Sequence, residues 1–462
     1  MRRKLFVVMC AVVACVAVAS IPFATTPARA AQKKKAPEVE WKAPALPDGK
    51  EVVTDTSEDF IKTPKGVTLK DGVTVAKIAP TIDFAYFPGQ TYAGRPWSCW
   101  GESTFANGKY YASFGDHLAP AGSAYVHEYD PAKKTFRQLV DLKKLLAMPE
   151  GHYSPAKIHT MLTVGKDGYV YFGTHRGSTT VTTDKYHYEG DWLVRVHPDT
   201  AKAEVVVRAP VAKHCIPTGF LDPERLIFYG GTAPGVGKDD ANGVRFFAYD
   251  VKNKKLLCDV ADGPARAMIF AKSTGRVYYV PASGAGLMRY DPAKGGDPVK
   301  IETGEIGIRA ASDETKDGIV YAVSTGQGGR DPVLYAFDTK TEKVTALGSP
   351  LVGGVGYITA LKIDPTGRYL YYIPGAHGGA DKDGTAVVQY DTKNKTRKVI
   401  AFLHPFYKEK YGTAVVGTYS YALSPKGDEL YVTWNANRSV AKAWDTCAMT
   451  VIRIPESERK TE

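Results

Sequence analysis

Apolar and polar residues alternate in short runs from about residue 66 to the end of the chain. In Val244-Arg245-Phe246-Phe247-Ala248-Tyr249-Asp250, the residues Val244, Phe246 and Ala248 take turns with Arg245, Phe247 and Tyr249, a period of two that predicts a β-strand. Asp250 opens a polar turn, and Lys255-Leu256-Leu257 starts a returning strand. The same pattern recurs at 125–131, 287–292, 334–338 and 387–391. A variant at 192–198 has His197 in place of the aspartate, and a truncated copy stands at 451–455. Asp-Pro pairs such as Asp130-Pro131 and Asp291-Pro292 suit the first two positions of a type I turn.

Repeats of about 40–65 residues, each with several strands, predict the blades of a propeller. Seven can be written out, at 97–142, 156–210, 214–260, 265–302, 308–347, 356–403 and 418–455. Inner hairpins carry turn signals such as Lys166-Asp167-Gly168, Lys316-Asp317-Gly318 and Pro365-Thr366-Gly367. The seventh copy ends after its third strand. A strand from 66–87 is expected to supply the fourth and hide the exposed edge. The expected fold is all-β, a seven-bladed propeller of four-stranded antiparallel blades closed by an N-terminal strand.

The chain begins differently. Arg2-Arg3-Lys4, a largely apolar run over 5–24 and Ala28-Arg29-Ala30 read as a secretory signal peptide over 1–30. A Lys/Pro-rich stretch over 31–64 reads as a flexible leader, and 65–462 as one propeller domain. Removing 1–30 takes away Arg2, Arg3, Lys4 and Arg29 and no acid, so the net charge of +11 falls to +7. With export to the periplasm or beyond and no second span, a basic surface points to an acidic polysaccharide or other carbohydrate rather than nucleic acid. A monomer is expected. Four of the six cysteines remain after cleavage: Cys99, Cys215, Cys258 and Cys447. Cys215 and Cys258 fall on the inner and outermost strands of one blade, about three strand spacings apart and too far for a bridge. Cys99 with Cys447 is the favoured pair, if any forms. There is no CxxC or HExxH.

With a blade's strands named A to D from the axis outward, the starts of A and C and the ends of B fall on one face. Residues there include Trp100, His117, Arg176, Arg266, Arg309, Tyr357, His377 and Trp434, expected to bind substrate. His159 and His175 flank one hairpin. In exact register their Cβ atoms lie about 5 Å apart, and a slip of one residue turns them to opposite faces. The arginines interrupt apolar inner strands and need an anionic partner. β-Elimination on a uronic acid fits such a set: a cation neutralises the carboxylate, a neutral histidine or tyrosinate removes the C5 proton, and a tyrosine hydroxyl protonates the leaving oxygen.

The seven blades, the two histidines of one inner hairpin and a B-strand tyrosine followed by a C-strand arginine resemble propeller polysaccharide lyases of the ulvan lyase type, within the YVTN/WD40-like repeat superfamily. The resemblance covers the architecture from about Trp97 onward and rests on a constellation rather than a long motif. It implies His159, His175, Tyr229 and Arg245 as the catalytic group. It also implies a structural zinc, for which no ligand set can be assigned: His214 and Cys215, adjacent on a strand, point to opposite faces. The residues themselves require no cofactor. Two other functions stay open. One is a non-catalytic propeller that binds a glycan or a protein at the cell envelope. The other is a metal-dependent lactonase using Glu102, Asp116 and Asn435.

Overall fold

The computed structural model describes residues 41–236, 243–264, 266–326, 330–439 and 444–460. The expected signal peptide lies outside them. No helix among the described residues is long and apolar enough to cross a membrane.

The protein is a seven-bladed β-propeller, all-β, with mostly four-stranded antiparallel blades. Blade three is the most regular: His214–Asp222, Ile227–Pro234, Arg245–Asp250 and Lys255–Ala261, in that order from the axis outward. Its C strand is buried at Phe246, Phe247, Ala248 and Tyr249, because neighbouring blades cover both faces. The aspartate that recurs at the end of most C strands closes the next turn. Asp130 Oδ1 accepts the backbone N–H groups of Ala132 and Lys133, and Asp391 Oδ1 those of Lys393 and Asn394. The same bonds form at Asp338. Such side-chain turns are why aspartate stands there.

The ring closes through the N-terminal strand, as the pattern predicts. Thr81–Tyr86 pairs antiparallel with Thr446–Arg453, from Thr81 opposite Arg453 to Tyr86 opposite Ala448. Ile82 and Phe84 are fully buried in the blade-seven core. The stretch expected as a flexible leader departs from the reading over its described part. Val52–Thr56 adds a fifth strand outside Thr81–Tyr86, and Phe60 is buried against Phe406. Its lysines and prolines resemble a linker, while Val52, Val53 and Phe60 supply the contacts. Val73–Val75 does not lead into blade one. It runs parallel to the outer strand of blade six, Thr396–Phe402.

Inner strands are shorter than the pattern suggests. In blade one, only Thr104–Ala106 belongs to the ladder, with a single bridge from Ser98 to Gly115. At Gly101 a Cβ would meet the Thr160 carbonyl oxygen at 2.3 Å, so this backbone runs against the next blade. All four described cysteines are buried thiols. Cys99 and Cys447 share one apolar cluster without being bonded.

Asp83 fastens the closure. Its buried carboxylate accepts from Thr54 Oγ1 at 2.6 Å, Lys134 Nζ at 3.0 Å and the Arg453 guanidinium at 2.7 Å. Burial works to raise this carboxyl, and the three donors outweigh it and hold it below the usual range. Asp83→Ala should lower stability by roughly 2–3 kcal/mol, less than for a sealed ion pair because Arg453 keeps access to water. An unchanged midpoint in urea would show that the contact is idle. A second prediction concerns His127, buried with neither ring nitrogen hydrogen-bonded and stacked on Phe114 at 5.0 Å. Burial pushes it down to about 3. The unfolded chain takes up this proton near the ordinary value of about 6.5, so stability falls as pH drops from there toward 3, by about 1.4 kcal/mol per unit. His127→Phe should flatten that part of the stability–pH curve, and an identical slope would contradict the assignment.

Candidate active site

The A strands enclose an axial cavity of about 630 Å³. At its mouth, where the A strands begin, the side chains gather around Trp100. The His159 ring stacks on the indole at 5.3 Å, with 13° between planes. Lys157 Nζ lies 4.6 Å from the ring centroid, and the rings of Tyr419, His377 and Trp444 stand at 4.8, 5.2 and 5.4 Å. His117 is tied in at Nε2, 2.9 Å from Trp100 Nε1 and 2.7 Å from Ser98 Oγ. Burial, with Lys157 and His175 nearby, holds His117 well below the usual histidine value.

His159 and His175 do meet, by a register neither simple case anticipates. His175 pairs with Lys157 and Thr174 with Ile158, so His159 is offset by two residues and keeps the same face. The two rings stack at 4.1 Å and 13°. His175 Nδ1 lies 2.8 Å from the Arg176 carbonyl oxygen, which marks Nδ1 as the protonated nitrogen.

On the other side of the mouth, Arg309 Nη2 donates to the Tyr357 hydroxyl at 3.1 Å. The guanidinium lies over the Tyr357 ring at 4.8 Å and the Tyr419 ring at 5.7 Å. Its Nε is buried with no hydrogen-bond partner among the described residues. Tyr357 sits at φ +64, a conformation uncommon for a bulky side chain. Bonds from Gly375 N to Gly356 O and from Ala376 N to Tyr357 O hold it there. Burial works to raise the Tyr357 phenol, but the Arg309 guanidinium, with Arg266 behind it, brings it below the ordinary tyrosine value. Tyr419, 2.7 Å from His377 Nδ1, moves up, through burial and the neighbouring Tyr357. His377 is lowered by burial and by Lys157, Arg309 and Arg266. Two adjacent phenols are thus pushed in opposite directions.

Other expected residues lie elsewhere. Tyr229 is fully buried between blades three and four among Phe246, Phe270 and Tyr290, with its hydroxyl toward the Gly275 carbonyl. Arg245 faces outward to Asp259, Nε to Oδ1 at 2.6 Å. Neither joins the histidine pair. Trp434 is buried in the blade-seven core, donating to Thr450 Oγ1. Arg176 is buried against the carbonyls of Pro234 and Gly235. Arg266 lines the cavity. Lys157 and Trp444 were not anticipated. Lys157 was legible, since it stands two residues before His159 on one strand face, whereas nothing in the pattern marked Trp444.

Among the described residues, no group of three or more His, Cys, Asp or Glu is arranged to hold a metal ion. The polar groups considered for a lactonase are engaged internally. Glu102 pairs with Lys362, Asp116 accepts from Tyr92 and Ser123, and Asn435 bonds both backbone groups of Cys99.

No family model matches the chain, and no curated protein matches it. Solved structures share its architecture. An oligogalacturonate lyase in complex with manganese is 15% identical, with 85% of this chain and 98% of that chain covered at a TM-score of 0.50. An oligogalacturonate lyase from Vibrio parahaemolyticus is 12% identical over 85% and 98% of the two chains, at 0.49. The Pan2 WD40 domain of Neurospora crassa is 11% identical over 80% and 94%, at 0.47. At such identities the likeness is one of fold alone.

Proposed function

We propose that this protein is an exported lyase that binds a uronate-containing glycan at the channel mouth and cleaves it by β-elimination. Arg309 carries the reading: a buried guanidinium that bonds Tyr357 and has a donor left over. An anionic oxygen would complete it, because an unmet charged donor is costly.

In this reading Arg309, Arg266 and Lys157 bind the sugar carboxylate and so acidify the C5–H beside it. The Tyr357 phenolate takes that proton, and the electron pair forms the C4=C5 double bond. The C4–O4 bond breaks, and O4 receives a proton from the Tyr419 hydroxyl; the proton now on Tyr357 then passes to the neighbouring Tyr419 phenolate, which restores both phenols to their starting states. His159 and His175 form the wall against Trp100, on which a sugar ring can lie. Tyr357 and Arg309 thus take the roles that the sequence suggested for Tyr229 and Arg245. The first 30 residues support export, and the basic charge of the remainder suits an acidic glycan.

Elimination creates a conjugated uronate, read as a rise in ultraviolet absorbance. With a uronate glycan that is a substrate, Tyr357→Phe should lower kcat by about 10²–10⁴-fold with affinity retained, and Tyr229→Phe should leave kcat unchanged. In the wild type, kcat/KM should rise with pH and level off below about 10, where an ordinary tyrosine ionises. Binding without any absorbance rise on a panel of uronate polymers would favour a glycan-binding propeller. A rise indifferent to Tyr357→Phe would move the base elsewhere.

A further inference from the structure

Three consecutive blades each bring a large apolar side chain to the cavity wall: Met161 of blade two, Phe220 of blade three and Phe270 of blade four. They form one continuous face. The Met161 backbone N–H donates to the Gly219 carbonyl oxygen at 2.9 Å, which places Met161 beside Phe220 in the chain of blade three. The Phe220 and Phe270 rings meet at 5.2 Å, tilted by 43°. Tyr229 backs both of them, at 5.9 and 6.5 Å.

These three differ from core residues in what covers them. Tyr229 and Phe246, in the cluster that Phe220 and Phe270 pack against, are closed in by protein and 0% exposed. Met161, Phe220 and Phe270 are only half-buried. Part of each therefore faces the cavity. Apolar surface in a concave site leaves water when an apolar group fills it. Sugar hydroxyls fit badly against such a face. They would give up water and gain no partner of comparable strength from a thioether and two phenyl rings.

The face also lies close to the mouth. Met161 follows His159 by two residues, at most about 7 Å of backbone. His159 in turn stacks on Trp100. A ring held at Trp100 and a second ring joined to it thus reach both places. The cavity of about 630 Å³ has room for such a ligand.

We propose that the uronate held at the mouth carries an aryl group, and that Met161, Phe220 and Phe270 receive it. This rests on the uronate reading of the mouth and adds the class of substituent beside it. An aryl ring suits the tilted Phe220–Phe270 pair because aromatic rings pack offset or edge-to-face. Methionine sulfur packs well against a ring edge. A glycan without such a substituent leaves the apolar face unused and is the weaker ligand.

Calorimetric titration with methyl β-D-glucuronide and phenyl β-D-glucuronide tests this. The wild type should bind the phenyl compound about tenfold or more tighter than the methyl compound. Met161→Gln and Phe270→Asn should each cut that ratio by about threefold or more, by weakening the phenyl compound. Should Phe270→Asn fail to fold, Met161→Gln, which keeps the length of the side chain, carries the test alone. Equal affinity for the two compounds in the wild type, or a ratio untouched by the folded variants, overturns the proposal and leaves the uronate reading of the mouth standing. Failure of both compounds to bind the wild type overturns that reading and the proposal together.

Discussion

Closure of the ring is the constraint on which the rest depends. Each blade buries both faces against its neighbours, so the first and last blades would expose two apolar surfaces if they parted. Thr81–Tyr86 prevents this by joining Thr446–Arg453, and Asp83 gathers donors from Thr54, Lys134 and Arg453 around one buried carboxylate. The closure also sets the channel mouth. Asn435 of blade seven holds the backbone N–H and carbonyl of Cys99, next to Trp100. The ring around which the mouth is built is therefore positioned by the same seam that holds the propeller shut.

The mouth brings cationic and aromatic side chains together around two phenols. Their different positions against Arg309 give the phenols different characters. Tyr357 lies under the Arg309 guanidinium, which favours its ionised form over the opposing effect of burial. Tyr419 is buried against Tyr357 and bonded to His377, so its proton is kept. The left-handed backbone at Tyr357 is held by two hydrogen bonds from the loop that follows the B strand Tyr369–Tyr372, so the strain lies where the phenol must be aimed.

Much of the fold was legible because the pattern repeats. The aspartate that ends a C strand marks the blade phase, and a seventh copy one strand short calls for an N-terminal partner. The site was legible only in part. Arg309, Tyr357 and His159 stand near the starts of inner strands, His175 ends a B strand and His377 lies beyond one, and all but His175 line the cavity. Tyr229 and Arg245 had the right spacing but the wrong faces. In a blade covered on both sides, apolar residues fill both faces of a strand, so alternation cannot tell the channel side from the interblade core. Trp434 was misplaced for the same reason. The histidine register was hidden by the broken inner strand of blade two, where Lys157–Ile158 and Thr163–Val164 pair separately with Val170–His175.

The central claim is that Arg309 holds Tyr357 as a phenolate-forming base. Ultraviolet difference titration of tyrosine ionisation tests it directly, comparing the wild type with Tyr357→Phe and Arg309→Met. The account predicts that one tyrosine ionises below the main group in the wild type, is absent in Tyr357→Phe, and moves up in Arg309→Met. Superimposable titrations of the wild type and Tyr357→Phe over the range below ordinary tyrosine would contradict it.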